Sequence, residues 1–127
     1  MKGMATAVVF PAPGYPTMRR WPRYRINVPV RLVVQRPDKT VIVNGRGMEL
    51  NEGGMALFAG VELKVGQRVE IEFTPPYDGQ PLRVRGTIHN RNGYNYGAEF
   101  LLLSQEDQLQ AEQIRQVLQA MGSPADD

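Results

Sequence analysis

Apolar residues recur at every second position through most of the middle of this chain, and that period restricts it to extended structure. Val28, Val30, Leu32 and Val34 alternate with Pro29, Arg31, Val33 and Gln35, and Val69, Ile71 and Phe73 alternate with Glu70, Glu72 and Thr74. A two-residue period turns one face of a strand to a core and the other to water. Leu82, Val84 and Ile88 make another run, and Tyr94, Tyr96, Ala98 and Phe100 make the last. The separators carry turn chemistry: Pro37-Asp38, Pro75-Pro76-Tyr77-Asp78-Gly79 and Asn92-Gly93. The last is a strong two-residue hairpin signal, because both of its residues tolerate positive φ. Short strands at such spacing predict a small antiparallel barrel over residues from about 25 to 102. Tyr94 and Tyr96 are expected to pack as barrel cover.

Asn44-Gly45 is open to two readings. It can turn a hairpin after Val41-Ile42-Val43, or bulge one longer strand running to Leu50. No further cluster of breakers interrupts Arg46–Leu50, which favours the bulge.

One helix is predicted after the strands, from about 105 to 121. Ser104 followed by Asp107 is an N-cap signature, and Ile114, Val117, Leu118 and Met121 form one apolar stripe at helical spacing. Gly122 and Pro124 end it. Such a helix packs its stripe over one opening of the barrel and turns its glutamine-rich side to water.

The 127-residue chain is long enough to bury a core without staples, and it contains no cysteine. Disulfide scaffolds, cysteine-ligated zinc sites and thiol catalysis are excluded. The absence of cysteine suits a reducing compartment, and a cytoplasmic location is expected. Met4–Phe10 is mildly apolar, but Pro11, Pro13 and Pro16 follow at once, so no membrane span or signal peptide is predicted. Residues 1–18 read as a flexible, proline-punctuated lead and residues 122–127 as a disordered tail, with the folded domain over 19–121.

Charge is distributed unevenly. Lys2 and six arginines precede the first acid, Asp38, so this part carries +7 and the remainder −5 within a net charge of +2. A local basic patch points to a small anionic partner, and a long polyanion such as nucleic acid is the least favoured ligand. Four of the arginines fall within Arg19-Arg20-Trp21-Pro22-Arg23-Tyr24-Arg25. A guanidinium offers paired donors to phosphate oxygens and a flat face to a base, so the stretch reads as an anion and base clamp. A second constellation is Glu49-Leu50-Asn51-Glu52-Gly53-Gly54-Met55-Ala56-Leu57. Its glycines permit a tight turn and a close approach to a ligand, while Glu49 and Asn51, two apart on a strand, share a face. A carboxylate there can accept two parallel hydrogen bonds from a guanine edge, with Asn51 donating and accepting beside it. No nucleophile sits beside a base and no histidine pair has metal-ligand spacing, so neither enzyme activity, a metal nor a cofactor is expected. The single histidine, His89, reads as structural.

Together these segments resemble the PilZ family, small β-barrel receptors for the bacterial second messenger cyclic di-GMP. Arg19 and Arg23 match its RxxxR motif, and Glu49 through Gly54 align with its (D/N)xSxxG motif. The likeness extends through Val65-Gly66-Gln67-Arg68-Val69 and Tyr96-Gly97-Ala98-Glu99-Phe100, covering most of residues 19–121. It implies a mostly β fold, a barrel of about six antiparallel strands with one C-terminal α-helix packed on it. It further implies cyclic di-GMP as ligand, with Arg19, Arg20 and Arg23 on phosphates and guanines and Glu49 and Asn51 at a guanine edge over Gly53 and Gly54. Glu49 and Asn51 depart from the family's Asp/Asn and Ser. Read as a stand-alone domain, the chain is expected to relay binding to an effector protein; a degenerate adaptor without nucleotide is the alternative.

Overall fold

The computed structural model describes residues 23–76 and 79–121. The expected lead and tail, and with them Arg19 and Arg20, lie outside the described residues. Six strands and one helix follow in order: β1 (Tyr24–Gln35), β2 (Thr40–Asn51), β3 (Gly54–Ala59), β4 (Arg68–Phe73), β5 (Leu82–Asn92), β6 (Asn95–Phe100) and α1 (Gln105–Met121). Every pairing is antiparallel, and the strands close in the order β1-β2-β3-β6-β5-β4. Closure leaves no free sheet edge. The two-residue period explains the interior: Leu32, Ile71 and Ile88 are fully buried, joined by Leu50, Leu57 and Val84. Outside, the acids of β4 meet arginines of both neighbours in register. Glu72 pairs with Arg31 at 3.5 Å and with Arg83 at 2.6 Å. These pairs are solvated, so each adds at most about 1 kcal/mol.

Three local expectations need correction. The single long β2 is present, but Asn44 and Gly45 pair regularly with Arg31 and Val30; the bulge lies three residues later, at Met48, between the pairs of Gly47 and Glu49. The β5–β6 hairpin also turns one residue later than predicted. Asn92 pairs with Asn95, so Gly93-Tyr94 is the loop, and Gly93 takes φ +65° at the first central position, where a type II′ turn places glycine. Tyr94 is consequently half exposed at the tip, not barrel cover. Tyr96 is buried as expected. Its hydroxyl donates to the Val61 carbonyl at 2.7 Å and accepts from the Leu63 amide at 2.9 Å, tying the β3–β4 loop to the barrel.

The helix is held at both ends of its run. Ile114, Val117 and Leu118 are buried, Met121 is partly buried, and all four join the barrel residues in one hydrophobic cluster. Its first turn contacts β5 through Asp107, while Arg115, Leu118 and Gln119 lie beside Tyr24 and Glu52 on the other side of the barrel. The helix therefore packs across one opening of the barrel, with its stripe in the same core as the strands. Ser104 and Asp107 form a reciprocal cap: the Asp107 amide donates to the Ser104 hydroxyl and the Ser104 amide donates to Asp107, each at 3.0 Å. Asp107 also accepts from the Leu103 amide and, bidentately, from Arg85 at 2.9 and 2.7 Å. The carboxylate is nearly inaccessible, yet its hydrogen bonds to the Arg85 guanidinium outweigh the burial penalty and hold its pKa well below the usual carboxylate range.

This contact predicts a pH dependence. A depressed folded-state pKa stabilises above the unfolded value, about 3.9, and that contribution is lost as pH falls towards the folded value. Asp107→Asn should cost about 1.5–3 kcal/mol at neutral pH, the range for hydrogen bonds to charged groups. In urea titrations the variant should also lack part of the acid-side loss of stability seen in the wild-type protein.

Candidate functional site

A cleft of about 280 Å³ opens on the outer surface of the barrel across β2, β3, β6 and β5. Register explains its shape. Glu49 pairs with Ala56, Ala56 with Gly97, and Gly97 with Asn90, so four strands contribute one row of side chains. The two middle residues are the smallest available, and the outer two are polar and longer. With strands about 4.8 Å apart, the row makes a trough with an apolar floor and polar walls.

Both walls depend on bulges. Along β2 the inward positions are Val43 and Gly47 before Met48 and Leu50 after it, so the extra residue reverses the alternation and turns Glu49 outward. In β5 the slip falls between Ile88 and Asn90. Ile88 is fully buried, and an unbroken alternation would send Asn90 inward too; the bulge at His89 turns both His89 and Asn90 to the outside. His89 Nδ1 lies 3.9 Å from Glu99 Oε1 on this wall.

Arg23, immediately before β1, reaches the opposite rim. Its Nη1 stands 3.5 Å from Glu49 Oε1, with both side chains about one-third exposed or less. The two sequence motifs therefore meet as an ion pair at the mouth of the cleft. Asn51, Gly53 and Gly54 line the same cleft, so the structure brings together five of the seven predicted residues. Their tasks differ. Asn51 is buried, and its Oδ1 accepts from the Gly53 amide at 2.7 Å, which closes the β2–β3 turn. The Gly53 carbonyl accepts from the Phe100 amide, fastening that turn to β6. At Gly54 a Cβ would stand 2.2 Å from the Ala98 carbonyl oxygen, so only glycine lets β3 and β6 pair here. Sequence reasoning missed the β5–β6 wall, although the polar pair His89-Asn90 directly after buried Ile88 was a readable sign that the alternation breaks.

No cluster of three or more side chains able to hold a metal ion occurs among the described residues, and no helix among them is long and apolar enough to cross a membrane.

The described residues thus form a closed six-stranded barrel, capped by a helix and carrying on its outer wall a cleft with Arg23 at its rim. The PilZ domain profile matches residues 18–119, and the chain belongs to that family. No curated protein sequence matches it significantly. Among solved structures it is similar to the PilZ domain of CeSA from a cellulose-synthesizing bacterium, with 21% identity and a TM-score of 0.60 over 78% of this chain and 97% of that one. It is also similar to the PilZ domain of YcgR from Escherichia coli, solved with c-di-GMP, with 17% identity and a TM-score of 0.56 over 81% of this chain and 93% of that one. The Bacillus subtilis inhibitor of motility MotI matches at 12% identity and a TM-score of 0.56 over 81% of this chain, which spans about half, 51%, of MotI.

The turn and the close strand approach can be tested by stability. Asn51→Ala leaves the Gly53 amide without its side-chain acceptor and should cost about 1 kcal/mol. Gly54→Ala forces two backbones apart and should cost more, about 1–3 kcal/mol as an overpacked site. Chemical denaturation would rank the pair.

Proposed function

We propose that this protein is a cyclic di-GMP receptor that relays binding to an effector protein. Membership of a regulatory binding family supports the reading, and the observation that carries it is the convergence of Arg23 and Glu49 at one cleft with a small, flat floor. The cleft is small beside the roughly 300–1,000 Å³ of drug-sized sites. A dinucleotide would therefore place one base in the trough and keep its phosphates at the rim. Arg23 stands there, and its fork of donors suits phosphate oxygens or the face of a base. Glu49 can accept from the ring and exocyclic N–H groups of a guanine. In this reading Arg19 and Arg20, outside the described residues, add phosphate contacts. Asn51, Gly53 and Gly54 shape the turn.

One observation favours the second reading, an adaptor that docks a protein without nucleotide. Glu49 is paired with Arg23, so an incoming phosphate has to compete with a carboxylate for the same guanidinium.

Calorimetric titration with cyclic di-GMP separates the two. Binding is expected, and Arg23→Ala should weaken it roughly ten- to a hundredfold, the usual cost of a charge-assisted contact. Glu49→Asp keeps the charge but shortens the reach to Arg23, so affinity should rise. A folded wild-type protein that gives no heat at high micromolar ligand, with Glu49→Asp equally silent, would leave the adaptor.

A further inference from the structure

The far wall of the trough carries a residue that neither sequence motif contains. Asn90 pairs with Gly97 across β5 and β6, and an ideal Cβ on Gly97 would lie 2.8 Å from Asn90 Oδ1, 2.9 Å from Nδ2 and 3.1 Å from Cγ. Because Oδ1 and Nδ2 both stand nearer than Cγ, the polar end of the carboxamide lies over the glycine. Gly97 does not have the positive φ that would itself demand glycine, so the space it leaves is what admits the amide. Asn90 is exposed, it lines the cleft, and no hydrogen bond from another described residue engages its side chain. Asn51, by contrast, is buried with its oxygen held by the Gly53 amide.

We propose that Asn90, brought over Gly97 by the bulge at His89, is a base-reading residue of this cleft. A carboxamide presents one acceptor and two donors. That set complements the lactam edge of a guanine, accepting from its ring N–H while donating to its exocyclic oxygen. Glu49 at the other end of the row has only acceptors and cannot supply the second bond. The two walls therefore differ in chemistry, with a carboxylate beside Arg23 and a neutral amide across the apolar floor. This assignment rests on the reading of the cleft as a cyclic di-GMP site.

A double-mutant cycle with cyclic di-GMP tests it, using calorimetry for affinity and thermal melts for folding. Asn90→Ala should melt like the wild-type protein, since the residue is exposed and its amide makes no hydrogen bond among the described residues, and should weaken binding roughly three- to tenfold, as loss of neutral hydrogen bonds does. Gly97→Ala puts a methyl group where the amide lies, and only the end of a flexible side chain has to move. It should weaken binding of the wild-type protein by a similar factor, yet change the affinity of Asn90→Ala by less than about twofold, because coupled residues are not additive. Full affinity in Asn90→Ala would overturn the assignment while leaving the receptor reading intact. An undiminished Gly97→Ala penalty in the Asn90→Ala background would also overturn it, since the methyl would then obstruct the ligand by itself. A wild-type protein that binds no cyclic di-GMP would remove the receptor reading and this assignment together.

Discussion

The cleft turns on two one-residue slips in strand alternation, at Met48 in β2 and at His89 in β5, and a third register shift lies in β1 between Arg25 and Val28. A closed barrel with an apolar interior permits no free choice of phase, because shifting a strand by one residue would exchange its core and solvent faces. Before each slip, Gly47 and Ile88 satisfy the interior; after it, Glu49 and Asn90 stand on the outside at the two ends of one row. The cleft thus arises where two strands change phase on either side of a pair, β3 and β6, that pass close together. Ala56 and Gly97 keep that pair low enough to be a floor. The same close passage requires Gly54, whose place in the turn motif is explained by the Ala98 carbonyl against it.

The helix is secured by chemistry of a different kind. Asp107 gathers two backbone amides and a bidentate guanidinium on one nearly inaccessible carboxylate, so a single residue caps α1 and ties it to β5. Burial of Ile114, Val117 and Leu118 supplies non-directional attraction, each side chain worth about 1.5–3 kcal/mol. The carboxylate supplies direction. It fixes where α1 begins, and with the apolar stripe it fixes how the helix lies over the opening. No residue of α1 lines the cleft.

Much of the fold was legible because its signals are local and redundant. Val30, Leu32 and Val34, or Val69, Ile71 and Phe73, announce strands by period alone, and Ser104 with Asp107 announces the helix start. The errors were errors of position. Asn44-Gly45 looked like a bulge by residue type, but the pairing shows one at Met48, a residue with no turn character. Asn92-Gly93 named the hairpin, but the register frames it at Gly93-Tyr94. In both cases the competing influence was the interior, which selects the register that buries the most apolar surface.

The site divides along the same line. The sequence alone determined the chemical inventory: a cluster of arginines before the barrel, an acid and an amide beside two glycines, and no cysteine. It also determined the family, because motif spacing survives translation into pattern. It could not assign tasks within that inventory, since a hydrogen-bonding residue serves a turn or a ligand with the same atoms. Only the tertiary structure decided that Asn51 spends its oxygen on the Gly53 amide, that Arg23 meets Glu49, and that Asn90 lies over Gly97 on the opposite wall. Even where the partners are near in the chain, as Asn51 and Gly53 are, their placement depends on the register of the strands around them. Pairing in a closed barrel is set by burial and register summed over all six strands, and no local stretch of sequence contains that sum.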